Sequence, residues 1–155
     1  MLSLYRPQLD DLWFRQALLA DPDTMSYNAK WGGAISFPRE KWRDWYRRWL
    51  VEHEGKRFYR YLLSTEANGF VGEVAYHYDD SQGIFLCDVI VHARHRKNGY
   101  GTEGLQLLCE AARENGVAAL HDHIAPGNPS LQLFLRNGFA IDFQTEDGVM
   151  VGRAL

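Results

Sequence analysis

The stretch from Ile84 to Ile124 limits the possible folds more than any other part of the chain. Residues Ile84 to Val91 read as a strand, and an amphipathic helix follows from about Thr102 to Asn115. Its apolar side carries Leu105, Leu108 and Ala112 with Leu107 and Ala111, and Gly116 stops it. Ala118 to Ile124 reads as the next strand. A helix that joins two strands of one sheet places at least one parallel pair in that sheet. Everything else must fit around this unit. Ahead of it lie a strand at Leu2–Tyr5, a helix from about Leu9 to Leu19 and a helix from Pro38 to about Glu54. The strands Phe58–Leu63 and Phe70–Tyr78 come next, turned at Glu66-Ala67-Asn68-Gly69. Behind it lie a helix from Pro129 to Asn137 and a hairpin, Phe139–Thr145 with Val149–Arg153, turned at Asp147-Gly148. The expected class is α/β (α+β in some schemes), with a mixed, mostly antiparallel sheet of about seven strands and about four helices.

With 155 residues and no repeat or linker, the chain reads as a single domain over 1–155. Hydrophobic residues at 46% supply a core without a disulfide or metal staple. Cys87 and Cys109 lack metal-ligand or redox spacing, so no metal is expected and a reducing compartment suits them. No apolar run approaches the roughly 18 residues of a membrane span. The expectation is a cytoplasmic protein without membrane association. A net charge of −3 excludes a general nucleic-acid binder but leaves room for a local basic site.

Such a site is present between the fourth strand and its helix. His92-Ala93-Arg94-His95-Arg96-Lys97-Asn98-Gly99-Tyr100-Gly101 holds three formal positive charges, two histidines and no acid. Gly99 and Gly101 let backbone approach a ligand, and unpaired N–H groups at the helix start favour an anion. A solvated basic turn is the plainer alternative. Gly99-Tyr100-Gly101-Thr102-Glu103-Gly104 also matches GxGxxG literally, with Asp122 downstream. A dinucleotide fingerprint fails here, because His92 to Asn98 separate the strand from the first glycine and too little chain follows.

Arg96-Lys97-Asn98-Gly99-Tyr100-Gly101 resembles the R/Q-x-x-G-x-G/A signature of the GNAT superfamily of acetyl-CoA-dependent N-acetyltransferases. The run Asn128-Pro129-Ser130 through Gly138-Phe139 is similar to its second signature. The resemblance implies splayed fourth and fifth strands that receive the pantetheine arm of acetyl-CoA, held by main-chain groups of Val89, Ile90 and Val91. It implies a pyrophosphate site on the amides of Arg96, Lys97, Asn98, Gly99, Tyr100, Gly101 and Thr102, with Asn128 on the pantetheine amides. The implied reaction is direct attack of a primary amine of a small molecule or peptide on the thioester, in a monomer or homodimer.

Two of the family's usual groups are missing. Phe134 stands where many members carry an acidic tyrosine, and Phe85 where one branch carries a glutamate. Asp122, in phase with Leu120 and Ile124, is the first candidate base, because an acid on an apolar strand face is costly unless partnered. Asp88, alternating with Leu86 and Ile90, is the second. Tyr100 and Ser130 are the candidate substitutes for the missing acid. Glu73 reads more as a partnered strand charge, and His121 and His123 as exposed strand residues.

All five tryptophans fall in the first 50 residues. Trp42, Trp45, Tyr46 and Trp49 share one helix face, which fits core packing or one wall of a cleft. The family's acceptor pocket is shaped by this part of the chain, so Tyr27, Asn28, Trp31, Trp42 and Trp45 are candidate acceptor contacts. The vacant acid and base positions leave two other readings open. One is a non-catalytic acyl-CoA sensor, and the other an acyltransferase for longer acyl groups.

Overall fold

The computed structural model describes the backbone of all 155 residues and every side chain except those of residues 29–31. Seven strands form one sheet in the order β1-β2-β3-β4-β5-β7-β6. They are β1 (Leu2–Tyr5), β2 (Arg57–Ser64), β3 (Gly69–Asp79), β4 (Ile84–Val91), β5 (Ala119–Ile124), β6 (Ala140–Thr145) and β7 (Gly148–Ala154). The helices are α1 (Leu12–Ala20), α2 (Trp42–Tyr46), α3 (Tyr100–Glu114) and α4 (Ser130–Arg136). The pair β4–β5 is parallel, as the joining helix requires, and the remaining pairs are antiparallel. This is the expected mixed sheet of seven strands with four helices.

Alternation sends each strand's side chains to two separate cores. On one face Leu62, Val74, Tyr76, Cys87 and Leu120 pack under α3 and α4 with Leu105, Leu108 and Phe134. On the other, Tyr59, Tyr61 and Ala75 pack under α1 and α2 with Leu18, Phe37 and Trp45. Helix α3 lies close to the sheet because Gly104 has no side chain. A Cβ there would come within 2.8 Å of the Leu62 side chain.

Element boundaries depart from the sequence reading where period alone was the guide. The helix expected from Pro38 is built of three windings. A 3-10 turn spans Arg39–Lys41, α2 follows, and a π-turn covers Arg47–Val51. The aromatic face survives these changes of winding, with Trp42 and Trp45 buried and Tyr46 and Trp49 half-buried. The segment Thr24–Trp31, which shows no 3.6-residue period, is a 3-10 helix. It ends at Gly32 and Gly33, both at positive φ. Helix α3 starts at Tyr100, two residues earlier than its apolar pattern suggests, since Gly99 at φ +79° already turns the chain into it. Strand β6 closes the sheet as an exposed edge, and Ile141 and Phe143 stand largely in solvent.

Candidate active site

Strands β4 and β5 pair only across Phe85–Leu120 and Leu86–His121. From Cys87 onward the β4 edge facing β5 therefore has no strand partner. The two strands splay apart into a cleft of about 730 Å³. Val89, Ile90 and Val91 line it, so the free backbone edge faces the space where an extended ligand could lie as an added strand.

The basic glycine loop closes one end of the cleft. Lys97 at φ +67° and Gly99 at φ +79° bend the backbone, and Asn98 Nδ2 donates to the carbonyls of His95 (3.0 Å) and Arg96 (3.2 Å). The first bond inside α3 runs from Glu103 N–H to Gly99 O at 3.1 Å, which leaves the Tyr100, Gly101 and Thr102 amides ahead of the helical ladder. Amides at the positive end of a 15-residue helix make an anion site. Lys97, Gly99, Tyr100 and Gly101 line the cleft, as does Asn128 at the far wall. The Asn128 Oδ1 accepts from Ser130 N–H at 2.9 Å, which fixes the side chain at the start of α4.

The Arg96 side chain is turned elsewhere. Its guanidinium donates to Thr24 O (2.7 Å) and Asp23 O (3.3 Å) and lies 4.7 Å from the centre of the Tyr27 ring. Thr24 answers from the other side. Its Oγ1 accepts from Ala93 N–H at 2.9 Å and donates to Asp21 Oδ2 at 2.5 Å. The phosphate-type loop and the Thr24–Trp31 segment are thus stitched together. Sequence reasoning missed Thr24. The only local hint was Asp21 three residues before it, a turn-capping spacing.

Two carboxyls face the cleft from opposite sides of the sheet. Asp88 pairs across the ladder with Ala75, on the α1/α2 face. Asp122 follows Leu120 on the α3/α4 face. Asp88 is exposed to the open cleft and Asp122 is half-buried, with the bulk of the protein around both. Burial and the charge of Glu73 push the Asp88 carboxyl up to about 7, with Arg15 pulling against them. Burial, reinforced by Asp88, raises Asp122 well above the usual carboxylate range. Two acids in one cleft thus resist ionising together.

Beneath Asp88, Glu73 is partnered, as its strand position implied, and the partner, Arg15, is one that the sequence did not reveal. Arg15 Nη1 lies 2.8 Å from both carboxylate oxygens of Glu73, which is almost fully buried. The guanidinium rests 4.4 Å from the Trp45 ring centre, 5.1 Å from Phe37 and 5.3 Å from Tyr59. Burial opposes its charge, but Glu73 more than restores it and leaves the Arg15 pKa above the ordinary value.

Of the candidate acceptor residues, the structure brings Tyr27 and Asn28 to the cleft. Tyr27 is 45% exposed, and Asn28 Nδ2 donates to Gly33 O at 3.0 Å. Trp42 and Trp45 are buried in the α1/α2 core and do not line the cleft. Trp42 donates through Nε1 to Phe37 O at 3.2 Å, and Trp45 backs Arg15. Trp31 lies outside the described side chains. Asn98 and Thr102 are not part of the cleft wall. Tyr100 lines the cleft, and its hydroxyl is bonded to Ser64 Oγ at 2.9 Å. Phe134 is buried against Phe139. The two strand histidines are half-buried, with His121 Nε2 3.4 Å from Asp142 and His123 in the cleft wall. Among the described residues, no group of three or more His, Cys, Asp or Glu side chains could hold a metal ion.

A family model described as "Acetyltransferase (GNAT) domain" matches residues 1–140. A search of curated proteins returns no match. Solved structures share the fold at low identity. A spermidine N-acetyltransferase from Vibrio cholerae, solved with CoA and spermine, superposes with a TM-score of 0.81 at 16% identity, covering 99% of this chain and 95% of that one. A domain from Methanocaldococcus jannaschii gives 0.80 at 16% identity, covering 100% and 99%. An N-acetyltransferase from Thermoplasma acidophilum in complex with coenzyme A gives 0.70 at 10% identity, covering 100% and 99%.

Proposed function

We propose that this chain, which belongs to the GNAT family of acetyltransferases, moves an acetyl group from acetyl-CoA to a primary amine of a small molecule or peptide in a ternary complex. The observation that carries the reading is one continuous cleft. It runs from an amide-rich helix start, past an unpaired β4 edge, to two carboxyls in different electrostatic settings. Acetyl-CoA suits it, because the α3 amides with Lys97 meet phosphate and the Val89–Val91 edge meets the pantetheine amides. Bound there, it would supply an activated thioester.

The settings of the two acids suggest their roles. A primary amine of lysine type has a pKa near 10.4 and arrives protonated, so it must lose a proton before it attacks. Asp88, near 7, is partly ionised at neutral pH and is matched to accepting that proton. Asp122, pushed by burial away from the ionised form, can give a proton to the departing sulfur, the task left vacant at Phe134. A main-chain N–H of the β4 edge would donate to the thioester oxygen as charge develops. On this reading the environment, rather than residue type, separates base from acid. The Arg15–Glu73 pair sets the Asp88 environment from below, and Tyr27 and Asn28 border the acceptor's side.

The test is free-thiol release from acetyl-CoA across a broad panel of amines. Amine-dependent release is expected, with a rate that rises with pH through about 7 as Asp88 ionises. Asp88→Asn should lower kcat/KM by about 10²- to 10⁴-fold and remove that rising limb. Saturable CoA binding with no release for any amine would instead favour a non-catalytic acyl-CoA sensor.

A further inference from the structure

A second cavity, of about 310 Å³, shares no lining residue with the cleft. It forms where β1 stops short. Strand β1 covers β2 only from Tyr61 to Ser64, so the β2 edge from Arg57 to Arg60 has no strand beside it. Arg6 from the end of β1, Arg57 and Arg60 from β2, and His53 from the turn after α2 line the space. Phe58 and Tyr76 supply aromatic surface. No aspartate or glutamate lines it.

The Arg6 and Arg60 guanidiniums repel one another across this concavity unless something anionic sits between them, while Arg57, in phase with Tyr59, stands on the other side of the β2 edge against Trp49. Among the described residues none of the three has a carboxylate partner. Burial and the charge of Arg6 together lower the Arg60 pKa below its ordinary value. The forks are nevertheless held in place. Arg6 Nη2 donates to Leu50 O at 2.5 Å, Arg60 Nη1 donates to Tyr59 O at 2.7 Å, and Arg60 lies 4.4 Å from the Phe58 ring centre. Arg57 lies 5.9 Å from the Trp49 ring centre. A guanidinium has five N–H donors, so the single carbonyl bonds of Arg6 and Arg60 leave most of theirs available. Tyr76 Oη accepts from Asn115 Nδ2 at 3.0 Å, which frees the phenol proton for an acceptor.

We propose that this cavity is a second ligand site, which binds a small phosphate monoester through Arg6 and Arg60, with Arg57 at its rim. Two fixed guanidinium forks match a dianion with three acceptor oxygens better than a single carboxylate does. The volume exceeds what inorganic phosphate fills and leaves room for a compact organic body against Phe58 and Tyr76. The site does not depend on the transferase reading, because none of its residues belongs to the cleft.

Phenyl phosphate is titrated into the ¹⁵N-labelled protein at low salt, with CoA held at saturation so that the phosphate-type loop is already filled. Saturable shifts at the amides of Gly55 and Arg57 to Arg60 are expected, with weaker binding by benzoate. Arg6→Ala and Arg60→Ala should each weaken phenyl phosphate about tenfold or more. Both variants should keep the CoA affinity and thermal midpoint of the parent. Arg60→Lys, which keeps the charge and stem, serves as a second variant should Arg60→Ala unfold. Absence of saturable shifts at Gly55 and Arg57 to Arg60, equal binding of benzoate, or unchanged affinity in the variants would each overturn the proposal. Failure of CoA itself to bind would count against the transferase reading. Phenyl phosphate shifts at residues 94–102 and at 55–60 would still be read separately.

Discussion

Asp88 and Asp122 both interrupt an alternating strand pattern, yet they stand on opposite faces of the sheet and meet different neighbours. Asp122 was visible in the sequence because an acid in phase with Leu120 and Ile124 breaks an apolar face. Asp88 was visible as well, by its alternation with Leu86 and Ile90, but the neighbours that set its charge were not. On the proposed mechanism Asp88 takes the base role for which the sequence pattern ranked Asp122 first. A carboxyl raised in the folded state contributes most to stability below its unfolded pKa, near 3.9, and that contribution is lost as pH rises toward the folded value. Asp122→Asn should accordingly gain thermal midpoint over the parent, by an amount that grows from pH 4 upward. Differential scanning calorimetry across pH reads this, and a gap independent of pH would refute the assignment. Arg15 was missed for a different reason. Its partner Glu73 is 58 residues away, so no local pattern ties them.

The strand–loop–helix unit is the element in which sequence and structure agree most closely. Glycine spacing, basic residues and helix start all act within ten residues, where local sterics decide. Gly99 holds φ +79°, and a Cβ added there meets nothing within 4 Å. Any effect of Gly99→Ala is therefore a backbone effect. Placing alanine in this left-handed region should cost about 1–2 kcal/mol and loosen the amide cradle. Titration calorimetry with CoA should show weaker binding by Gly99→Ala, while Gly116→Ala, also at positive φ but at the far end of α3, should leave CoA affinity unchanged. The Thr24–Trp31 segment was less legible. Its 3-10 winding is held by Arg96 and Thr24 bonds that cross from one end of the chain's first third to the loop before α3.

The whole molecule is two cores on one sheet, divided by a cleft where the sheet fails to close between β4 and β5. A ligand spanning the splay bridges strands that otherwise share little pairing. CoA at about 100 times its Kd should add about 2.7 kcal/mol and raise the midpoint roughly 5–10 °C. Melting curves with and without CoA measure this, and an unchanged midpoint would contradict occupation of the cleft. The amino-acid sequence alone determined the element order, the parallel pair, the glycine loop and the family resemblance. Each of these follows from hydrophobic period, turn chemistry or motif spacing over a few adjacent residues. Tertiary structure alone decided that Trp42 and Trp45 belong to a core while Tyr27 and Asn28 reach the cleft. It also decided that Arg96 ties a segment down and that the two aspartates meet different neighbours. Those outcomes depend on burial and on charges brought together from distant positions, and neither quantity exists until the chain has folded.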